Sequence, residues 1–426
     1  MDIEALYKIF LEHPVVSTDS RNCPPDSLFF ALKGDSFDGN MFAEKALETA
    51  AYAIIDDPAV KTNERMLLTG NVLQTLQQLA RLHRERLGLP VIGITGTNGK
   101  TTTKELVASI LSAKYNTLYT TGNLNNHIGV PLTLLRLTSE HEIAVIEMGA
   151  NHPGEIAELA EIALPDYGII TNVGYAHLEG FGSFEGVIRT KGELYNFLRK
   201  TNGTIFIDSD NDFLLPIAEG IRQITYGADE DNFVSGKMTA CDPYLGFCWK
   251  YQEYTYNVIT HLVGSYNLQN LLAAVAIGTF FSVPAGLINK AIASYVPQNN
   301  RSQLKKTDRN ELIIDAYNAN PSSMKAALTN FSLLKSSPKV VILGDMLELG
   351  ADSALLHTAV IKQLEESSFN QVILCGELFC SIPHSFLCFR HIDQLCYYLE
   401  EVKMQGQHIL IKGSRGIRLE KVIDFL

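Results

Sequence analysis

Apolar residues along this chain fall into short runs separated by segments with helical spacing. From residue 89 onward, buried strands are predicted at the apolar runs 91–94, 143–147 and 167–173. Between the first two runs, Leu106, Val107, Ile110 and Leu111 recur at the spacing of one helix face. Strands that alternate with helices in this way predict a mainly parallel sheet covered by helices.

The same alternation becomes more regular after residue 296. Strands are predicted at 311–316, 339–344, 371–376 and 408–412, with amphipathic segments of helix length between them. This pattern predicts a Rossmann-like domain. Because no Gly-x-Gly-x-x-Gly sequence follows any of these strands, a nicotinamide cofactor is not expected.

The first 88 residues contain shorter apolar runs, at 27–32 and 51–55, and a helical stretch at 72–87 that ends at Gly88. They predict a small α/β unit. We therefore expect an α/β protein with three domains, at residues 1–88, 89–296 and 297–426. The length of 426 residues agrees with this division, since domains commonly have about 150 residues. Short linkers would allow the domains to close on a substrate.

Composition narrows the class of protein. No apolar run approaches the roughly 20 residues that cross a membrane, so no membrane span is expected. The first ten residues include Asp2, Glu4 and Lys8 and therefore do not resemble a secretory signal, which predicts a cytoplasmic protein. The net charge of -12 argues against a nucleic-acid partner. A monomer is the default expectation.

The cysteines suggest neither a metal site nor a disulfide framework. There are seven, an odd number, and no two form a Cys-x-x-Cys pair. We expect reduced thiols with a mostly structural role.

The strongest chemical signal is the segment 93–101, which reads Gly-Ile-Thr-Gly-Thr-Asn-Gly-Lys-Thr after a predicted strand. Its glycines let backbone N–H groups close around phosphate oxygens, while Lys100 adds positive charge and Thr101 a hydroxyl for a metal ion. Ile94 stands where the common phosphate-loop pattern has glycine, which points away from the commonest NTPases. The predicted ATP-binding residues of this loop are Gly96, Thr97, Asn98, Gly99, Lys100, Thr101 and Thr102.

Two further residues follow predicted strands on the same sheet edge. Glu147 ends a buried strand beside the phosphate loop, where a carboxylate is a natural magnesium ligand. A surface glutamate is the alternative, but no salt-bridge partner is evident in the sequence around it. His177 lies in a glycine-rich loop after the next strand, and alone it would be weak evidence for a site.

Additional motifs match a known family. They include Asp19-Ser20-Arg21, the segment 28–34, Gly122-Asn123-Leu124-Asn125-Asn126-His127-Ile128-Gly129, Thr190-Lys191-Gly192-Glu193, Ser265-Tyr266-Asn267-Leu268-Gln269-Asn270, Asp315-Ala316-Tyr317-Asn318-Ala319-Asn320-Pro321, the segment 344–350 and Lys412-Gly413-Ser414-Arg415. With them, the chain resembles the Mur ligases, ATP-dependent amide-forming enzymes of peptidoglycan synthesis. The resemblance spans essentially the whole chain and is greatest to the branch that adds D-alanyl-D-alanine to UDP-N-acetylmuramoyl-tripeptide.

The resemblance implies roles for particular residues. It implies a UDP-binding first domain, although Asn40 stands where relatives commonly have histidine. It also implies two Mg²⁺ ions, held by Thr101, Glu147, His177 and a carbamoylated Lys191; the last three and Lys100 would be the catalytic residues. Further ATP contacts would come from Asn267, Asn270, Arg301 and Asp315. Substrate contacts would come from Ser20, Arg21, Lys33, Asn125, Asn126, Asn318, Asn320, Lys412 and Arg415.

Several alternatives stay open. Lys412 and Arg415 are either contacts of the dipeptide carboxylate or ordinary solvated cations, since a helix N-terminus repels cations unless an anion is bound. A folylpolyglutamate synthase would usually have Gly-Lys-Gly-Ser in its phosphate loop, unlike Lys100-Thr101-Thr102. A regulatory protein that binds ATP without catalysis would have little reason to keep a second metal site. The third residue of the tripeptide, lysine or diaminopimelate, is not readable from the sequence.

Overall fold

The chain folds around three separate main β-sheets, each flanked by helices. The structure, a computed structural model, describes residues 1–298 and 300–426. The predicted α/β class with three domains is confirmed, and we call these the N-terminal, central and C-terminal domains. Within the described residues, no helix combines the length and the apolar character that crossing a membrane requires.

The N-terminal domain has a small parallel sheet in the order β1-β2-β5-β6. Beside it, β3 and β4 form an antiparallel hairpin whose strands have two residues each. Its strands are β1 (Val16–Ser17), β2 (Leu28–Phe30), β3 (Lys33–Gly34), β4 (Phe37–Asp38), β5 (Tyr52–Ile55) and β6 (Met66–Leu68). Its helices are α1 (Ile3–Glu12), α2 (Ala43–Ala46) and α3 (Val72–Leu87). Helix α3 has the predicted bounds because Asn71 accepts a hydrogen bond from the Gln74 amide at its start and Gly88 adopts a left-handed conformation at its end.

The central domain has a larger sheet in the order β15-β14-β13-β12-β11-β10-β7-β9-β8. Its strands are β7 (Val91–Thr95), β8 (Thr117–Tyr119), β9 (Ile143–Glu147), β10 (Tyr167–Ile170), β11 (Thr204–Asp208), β12 (Arg222–Gly227), β13 (Val234–Cys241), β14 (Tyr244–Tyr251) and β15 (Tyr254–Val263). Its helices are α4 (Lys100–Leu111), α5 (Gly129–Leu134), α6 (Glu155–Ala163), α7 (Leu178–Phe181), α8 (Phe184–Lys191), α9 (Glu193–Thr201), α10 (Leu268–Phe280) and α11 (Ala285–Ser294). Strands β7 to β13 pair in parallel, as predicted.

Two parts of this sheet differ from the sequence pattern. Strands β14 and β15 extend it with antiparallel pairing, which the sequence pattern did not predict. Strand β10 ends at Ile170, earlier than predicted, because the next residues leave the sheet to contact the phosphate loop. There the Thr171 hydroxyl donates to the Asn98 carbonyl oxygen at 2.6 Å.

The C-terminal domain has a sheet in the order β16-β17-β21-β18-β19-β20, in which only β16 pairs antiparallel. Its strands are β16 (Gln303–Lys306), β17 (Glu311–Asp315), β18 (Lys339–Gly344), β19 (Gln371–Cys375), β20 (Leu387–Phe389) and β21 (His408–Lys412). Its helices are α12 (Pro321–Leu333), α13 (Ser353–Glu365), α14 (Glu377–Cys380) and α15 (Ile392–Val402). The predicted Rossmann-like arrangement is confirmed.

The expectation that the cysteines are reduced is wrong for one pair. Cys380 at the end of α14 and Cys388 in β20 form a disulfide, with their Cα atoms 5.8 Å apart. The short connection between these two elements brings the thiols together, which neither the number nor the spacing of the cysteines indicates. The other five cysteines are free.

Candidate active site

A cavity of about 630 Å³ lies between the central and C-terminal domains, where the carboxyl ends of β7, β9 and β17 meet. It brings together most of the residues that the sequence singled out. These are Thr97, Asn98, Gly99, Lys100, Thr101, Thr102, Asn125, Asn126, Glu147, His177, Asn267, Asn270, Arg301, Asp315, Asn318, Asn320, Lys412 and Arg415. Five predicted site residues do not line it: Ser20, Arg21, Lys33, Gly96 and Lys191.

The phosphate loop connects β7 to α4, as its sequence predicts, and two glycines are required by its shape. Gly96 has a φ of 141°, and a Cβ atom there would lie 2.0 Å from the Thr171 hydroxyl oxygen. Gly99 has a φ of 78°, and a Cβ atom would lie 2.4 Å from the Asn270 side-chain oxygen. A side chain at either position would therefore push the loop away from its neighbours.

Lys100 occupies the first turn of α4 and folds back over the loop. Its Nζ donates to the carbonyl oxygens of Gly96 at 2.7 Å and Thr97 at 2.9 Å. Burial between the domains lowers the pKa of Lys100 to about 8; the Glu147 carboxylate opposes this shift and the Arg301 guanidinium adds to it. An anion bound at the loop would stabilise the charged form.

Glu147 at the end of β9 is buried, with 1% of its surface exposed, so the surface alternative does not apply. Its Oε1 accepts hydrogen bonds from the Thr101 hydroxyl at 3.1 Å and from Asn125 Nδ2 at 2.8 Å. Its Oε2 is buried without a hydrogen-bond partner among the described residues. A buried carboxylate oxygen of this kind, beside a hydroxyl, fits a hard divalent cation.

Of the other two predicted metal ligands, His177 lines the cavity and Lys191 does not. His177 is in the left-handed region with a φ of 50°, and its Nδ1 lies 2.5 Å from Oε2 of Glu348. Across the part of the chain that the structure describes, no three His, Cys, Asp or Glu side chains converge to form a metal centre. The pairing of Thr101 with Glu147 is present, and the metal roles of His177 and Lys191 stay predictions.

Lys191 lies at the end of α8, below the wall of the cavity, with 2% of its surface exposed. Its Nζ donates to the Ala150 carbonyl oxygen at 3.3 Å and lies 5.1 Å from the centre of the Phe181 ring. Burial holds the pKa of Lys191 well below its ordinary value, and the nearby Lys100 charge lowers it further, while Glu155 and Glu193 oppose the shift. A lower pKa favours the neutral amine, the form that can react with carbon dioxide.

The two asparagines at the start of α10 face the phosphate loop together. Asn270 Nδ2 donates to Asn267 Oδ1 at 2.9 Å, and Asn267 Nδ2 donates to the Val263 carbonyl oxygen at 2.9 Å. The Thr103 hydroxyl of α4 donates to Asn270 Oδ1 at 3.1 Å. These bonds fix α10 against α4 and give the cavity a polar wall next to the loop.

The C-terminal domain contributes most of the cationic side chains of the cavity. Lys412 is buried, and its Nζ donates to Asp315 Oδ2 at 2.6 Å, so its charge is already paired. Arg301 stacks on the Tyr317 ring, with its guanidinium carbon 3.7 Å from the ring centre, and that of Arg415 lies 5.7 Å from the same centre. Arg415 makes no salt bridge within residues 1–298 and 300–426.

Two contacts across the domain interface are not predicted by the sequence. Asn320, which caps α12, donates from Nδ2 to Asn98 Oδ1 of the phosphate loop at 2.8 Å. Glu348 meets His177, as described above. Both C-terminal residues belong to motifs that the sequence singled out, but the pairing of residues so far apart in the chain has no local signal.

The three predicted residues of the N-terminal domain, Ser20, Arg21 and Lys33, do not line the cavity. Arg21 pairs with Asp19, its Nη2 being 2.8 Å from Oδ2. Lys33 Nζ lies 3.0 Å from Asp56 Oδ1. The buried Asn40 donates to this same Asp56 oxygen at 2.8 Å and to Asp38 Oδ1 at 2.8 Å. Asn40 thus joins the two carboxylates that surround Lys33.

Comparisons with known proteins match three consecutive segments of the chain to one family. Three family models match: the Mur ligase family catalytic domain at 14–92, the Mur ligase middle domain at 94–278 and the Mur ligase glutamate ligase domain at 300–415. UDP-N-acetylmuramoyl-tripeptide--D-alanyl-D-alanine ligase of Bacillus subtilis (strain 168) is 36% identical over 96% of this chain and 92% of that protein.

Solved structures give the same result. A crystal structure of MurF from Acinetobacter baumannii superposes with a TM-score of 0.87 and 31% identity, over 96% of this chain and 92% of that one. MurF ligase from Thermotoga maritima in complex with ADP superposes with a TM-score of 0.87 and 26% identity, over 97% of each chain. The similarity therefore includes all three domains and their arrangement.

Proposed function

The chain belongs to the Mur ligase family, and from this we propose that it joins D-alanyl-D-alanine to UDP-N-acetylmuramoyl-tripeptide using ATP. One observation carries the proposal: a single cavity holds the phosphate loop on one side and the motifs of the C-terminal domain on the other. The side with the phosphate loop would bind ATP, which activates the tripeptide carboxylate. The side with the C-terminal motifs would bind the second substrate. This is the arrangement that an ATP-dependent amide ligase needs.

The reaction has two steps. An oxygen of the terminal tripeptide carboxylate attacks the γ-phosphorus of ATP and ADP leaves, which gives an acyl phosphate. The amine of D-alanyl-D-alanine then attacks the acyl carbon, loses a proton, and phosphate leaves with the oxygen that came from the carboxylate. No nucleophile of the protein is required, so the residues act by positioning substrates and neutralising charge.

Lys100 and Arg301 carry the charges that this reaction needs. The two side chains act on the same part of the cavity, since the positive charge of Arg301 lowers the pKa of the Lys100 amine. A carboxylate and a triphosphate repel each other, and two cations between the domains reduce that repulsion. Asn267 and Asn270 provide the polar wall for the nucleotide, and Asn320 ties the C-terminal domain to the loop that holds the phosphates.

Magnesium fits the buried oxygen of Glu147. Thr101 and Glu147 would hold one Mg²⁺ ion, while Glu147, His177 and carbamoylated Lys191 would contribute to a second. When bound, these ions neutralise the crowded phosphate and carboxylate oxygens. The chain's own contribution is to place Thr101 against Oε1 of Glu147 and to leave Oε2 without a hydrogen-bond partner among the described residues.

The carbamoylation of Lys191 is directly testable. A neutral buried amine reacts with carbon dioxide to form a carbamate and release a proton, and the low pKa of Lys191 favours that reaction. We expect the protein in ¹³C-bicarbonate to show a carbamate carbon signal by NMR that Lys191→Arg lacks. Lys200→Arg, an exposed lysine on the next helix, serves as the control and should keep the signal. An identical signal in Lys191→Arg would contradict the assignment.

The sugar nucleotide is expected to bind the N-terminal domain through Ser20, Arg21 and Lys33, with Asn125 and Asn126 meeting the part nearest the phosphate loop. Asn40 would act on this site by fixing the two carboxylates around Lys33. We place the domain boundaries near residues 88 and 296. A ligand extending from the N-terminal domain to the cavity would then contact all three domains, because its reacting carboxylate must reach the phosphate loop.

Arg415 is the better candidate for the carboxylate of the dipeptide, because Lys412 is already paired with Asp315. We expect Arg415→Ala to raise the KM for D-alanyl-D-alanine about 10- to 100-fold, as loss of one charge-assisted hydrogen bond of about 1.5–3 kcal/mol would. The KM for ATP should change little. Arg418→Ala, a neighbouring exposed cation outside the cavity, is the matched control in the same steady-state assay. Equal effects of the two variants would remove Arg415 from the site.

The proposed function is tested by phosphate release. ATP, D-alanyl-D-alanine and UDP-muramoyl-tripeptide together should release phosphate, and omission of any one should stop it. Tripeptides with lysine and with diaminopimelate are compared, and the UDP-muramoyl dipeptide is the acceptor control. Release only with glutamate and a folate acceptor would indicate a folylpolyglutamate synthase. Nucleotide binding without release under any condition would indicate a regulatory protein.

A further inference from the structure

Lys104 is a buried lysine that has no role in the reaction described above. It lies in the second turn of α4, and 1% of its surface is exposed. Lysine is rarely buried to this degree unless its ammonium group is paired. Its Nζ donates to the Thr120 carbonyl oxygen at 2.8 Å and lies 3.6 Å from Oε1 of Glu105, which balances its charge. The lysine therefore connects α4 to the residue that follows β8.

Thr120 is a fully buried residue that uses all of its polar groups in contacts. Its amide donates to the Val145 carbonyl oxygen at 3.0 Å, which continues the pairing of β8 with β9. Its hydroxyl oxygen accepts a hydrogen bond from the Glu147 amide at 3.0 Å, and its carbonyl oxygen accepts the one from Lys104. Thr120 therefore fixes the main chain at the last residue of β9.

One face of α4 holds Glu147 in two ways. Thr101 and Lys104 are three residues apart, so they lie on the same side of the helix. Thr101 contacts the carboxylate directly, with its hydroxyl 3.1 Å from Oε1. Lys104 acts on the main chain of Glu147 through Thr120. Because the side chain and the main chain are both fixed, α4 determines how the carboxylate is oriented.

We propose that Lys104 is a positioning residue that fixes Glu147 for the metal ion bound with the nucleotide. The proposal rests on the metal role of Thr101 and Glu147 in the proposed function. Removal of the Lys104 amine frees the Thr120 carbonyl oxygen, so that Thr120 can shift relative to β9. The Glu147 amide then loses its fixed acceptor, and the carboxylate is no longer held in one orientation. Removal of a group that orients a metal ligand commonly weakens metal binding by about 10- to 100-fold.

The test measures metal binding without catalysis. The affinity for Mn²⁺ is read by electron paramagnetic resonance in the presence of ADP, with neither tripeptide nor dipeptide added. Lys104→Met removes the amine and keeps a long, flexible apolar side chain that fills the same space. Lys114→Met is the matched control. Nζ of Lys114 also donates to carbonyl oxygens, those of Phe281 and Ser282, but beyond the other end of α4 and outside the cavity.

Thr120 allows a second test that leaves Lys104 in place. Thr120→Val removes the hydroxyl oxygen that accepts from the Glu147 amide, whereas Thr120→Ser retains it. Positioning predicts a loss of Mn²⁺ affinity with valine and its recovery with serine. The double variant Lys104→Met/Thr120→Val should bind Mn²⁺ about as weakly as the weaker of the two single variants, because both changes break the same connection to Glu147.

We expect Lys104→Met and Thr120→Val to bind Mn²⁺ about 10- to 100-fold more weakly than the wild-type protein, and Lys114→Met and Thr120→Ser to keep the wild-type affinity. An unchanged affinity in Lys104→Met or Thr120→Val would overturn the proposal. An equal loss in Lys114→Met, losses that multiply in the double variant, or no Mn²⁺ binding by the wild-type protein would also overturn it.

Thermal unfolding is measured for every variant. If Lys104→Met does not unfold cooperatively, the comparison of Thr120→Val with Thr120→Ser decides the question. Because the readout does not use the ligase reaction, failure of the proposed function would be recognised separately, as an absence of amide product from a protein that binds Mn²⁺ as expected.

Discussion

Lys100→Ala is expected to reduce phosphate release from ATP by about 1,000-fold or more. Loss of a single donor to a developing charge already costs about 100- to 1,000-fold in other enzymes, and Lys100 supplies a full positive charge. It also donates to two carbonyl oxygens of the phosphate loop, at 2.7 and 2.9 Å, so its removal loosens the loop. Both effects act in the same direction. The rate is measured as phosphate release with all three substrates present.

Lys200→Ala provides the control for this variant, since Lys200 is an exposed lysine of the same domain outside the cavity. It should keep the wild-type rate. Thermal unfolding should be cooperative in both variants, which would separate loss of activity from loss of folding. A rate for Lys100→Ala within a few-fold of the wild type would remove the loop from the chemistry.

Glu147→Gln should lower kcat by about 100-fold or more and raise the Mg²⁺ concentration needed for half-maximal activity. The change keeps the shape of the side chain and leaves the donors Thr101 and Asn125 with an acceptor oxygen. It removes the negative charge that fits a divalent cation. The effect on activity should therefore far exceed the effect on folding, as a Mg²⁺ titration of the initial rate would show.

Glu140→Gln is the matched control, because Glu140 is an exposed carboxylate of the same domain, outside the cavity. Its rate and Mg²⁺ requirement should stay at the wild-type values. If Glu147→Gln shifted neither quantity, the unpartnered oxygen of Glu147 would need an explanation other than a metal ion.

Local patterns account for the elements that the sequence predicted well. Strands 143–147, 339–344 and 408–412 have the predicted bounds because each is a continuous apolar run between polar segments. The contact between Thr101 and Glu147 could also be anticipated, since carboxyl ends of neighbouring parallel strands lie at one sheet edge. The glycine spacing identified the phosphate loop because glycine permits the positive φ values that this turn adopts at Gly96 and Gly99.

Contacts between distant segments account for what the sequence did not reveal. The pairing of Lys412 with Asp315, of Asn98 with Asn320 and of His177 with Glu348 depends on how whole elements and domains pack. The disulfide depends in the same way on the position of β20 beside α14. The spacing of residues along the sequence does not predict these contacts, so they are seen only in the folded structure.

The central claim is that the tripeptide carboxylate is activated as an acyl phosphate in the cavity between the central and C-terminal domains. It is tested by labelling both oxygens of that carboxylate with ¹⁸O and analysing the products by mass spectrometry. One labelled oxygen should leave with each phosphate released, and the other should remain in the new amide. Phosphate without ¹⁸O, formed together with the amide, would contradict the account.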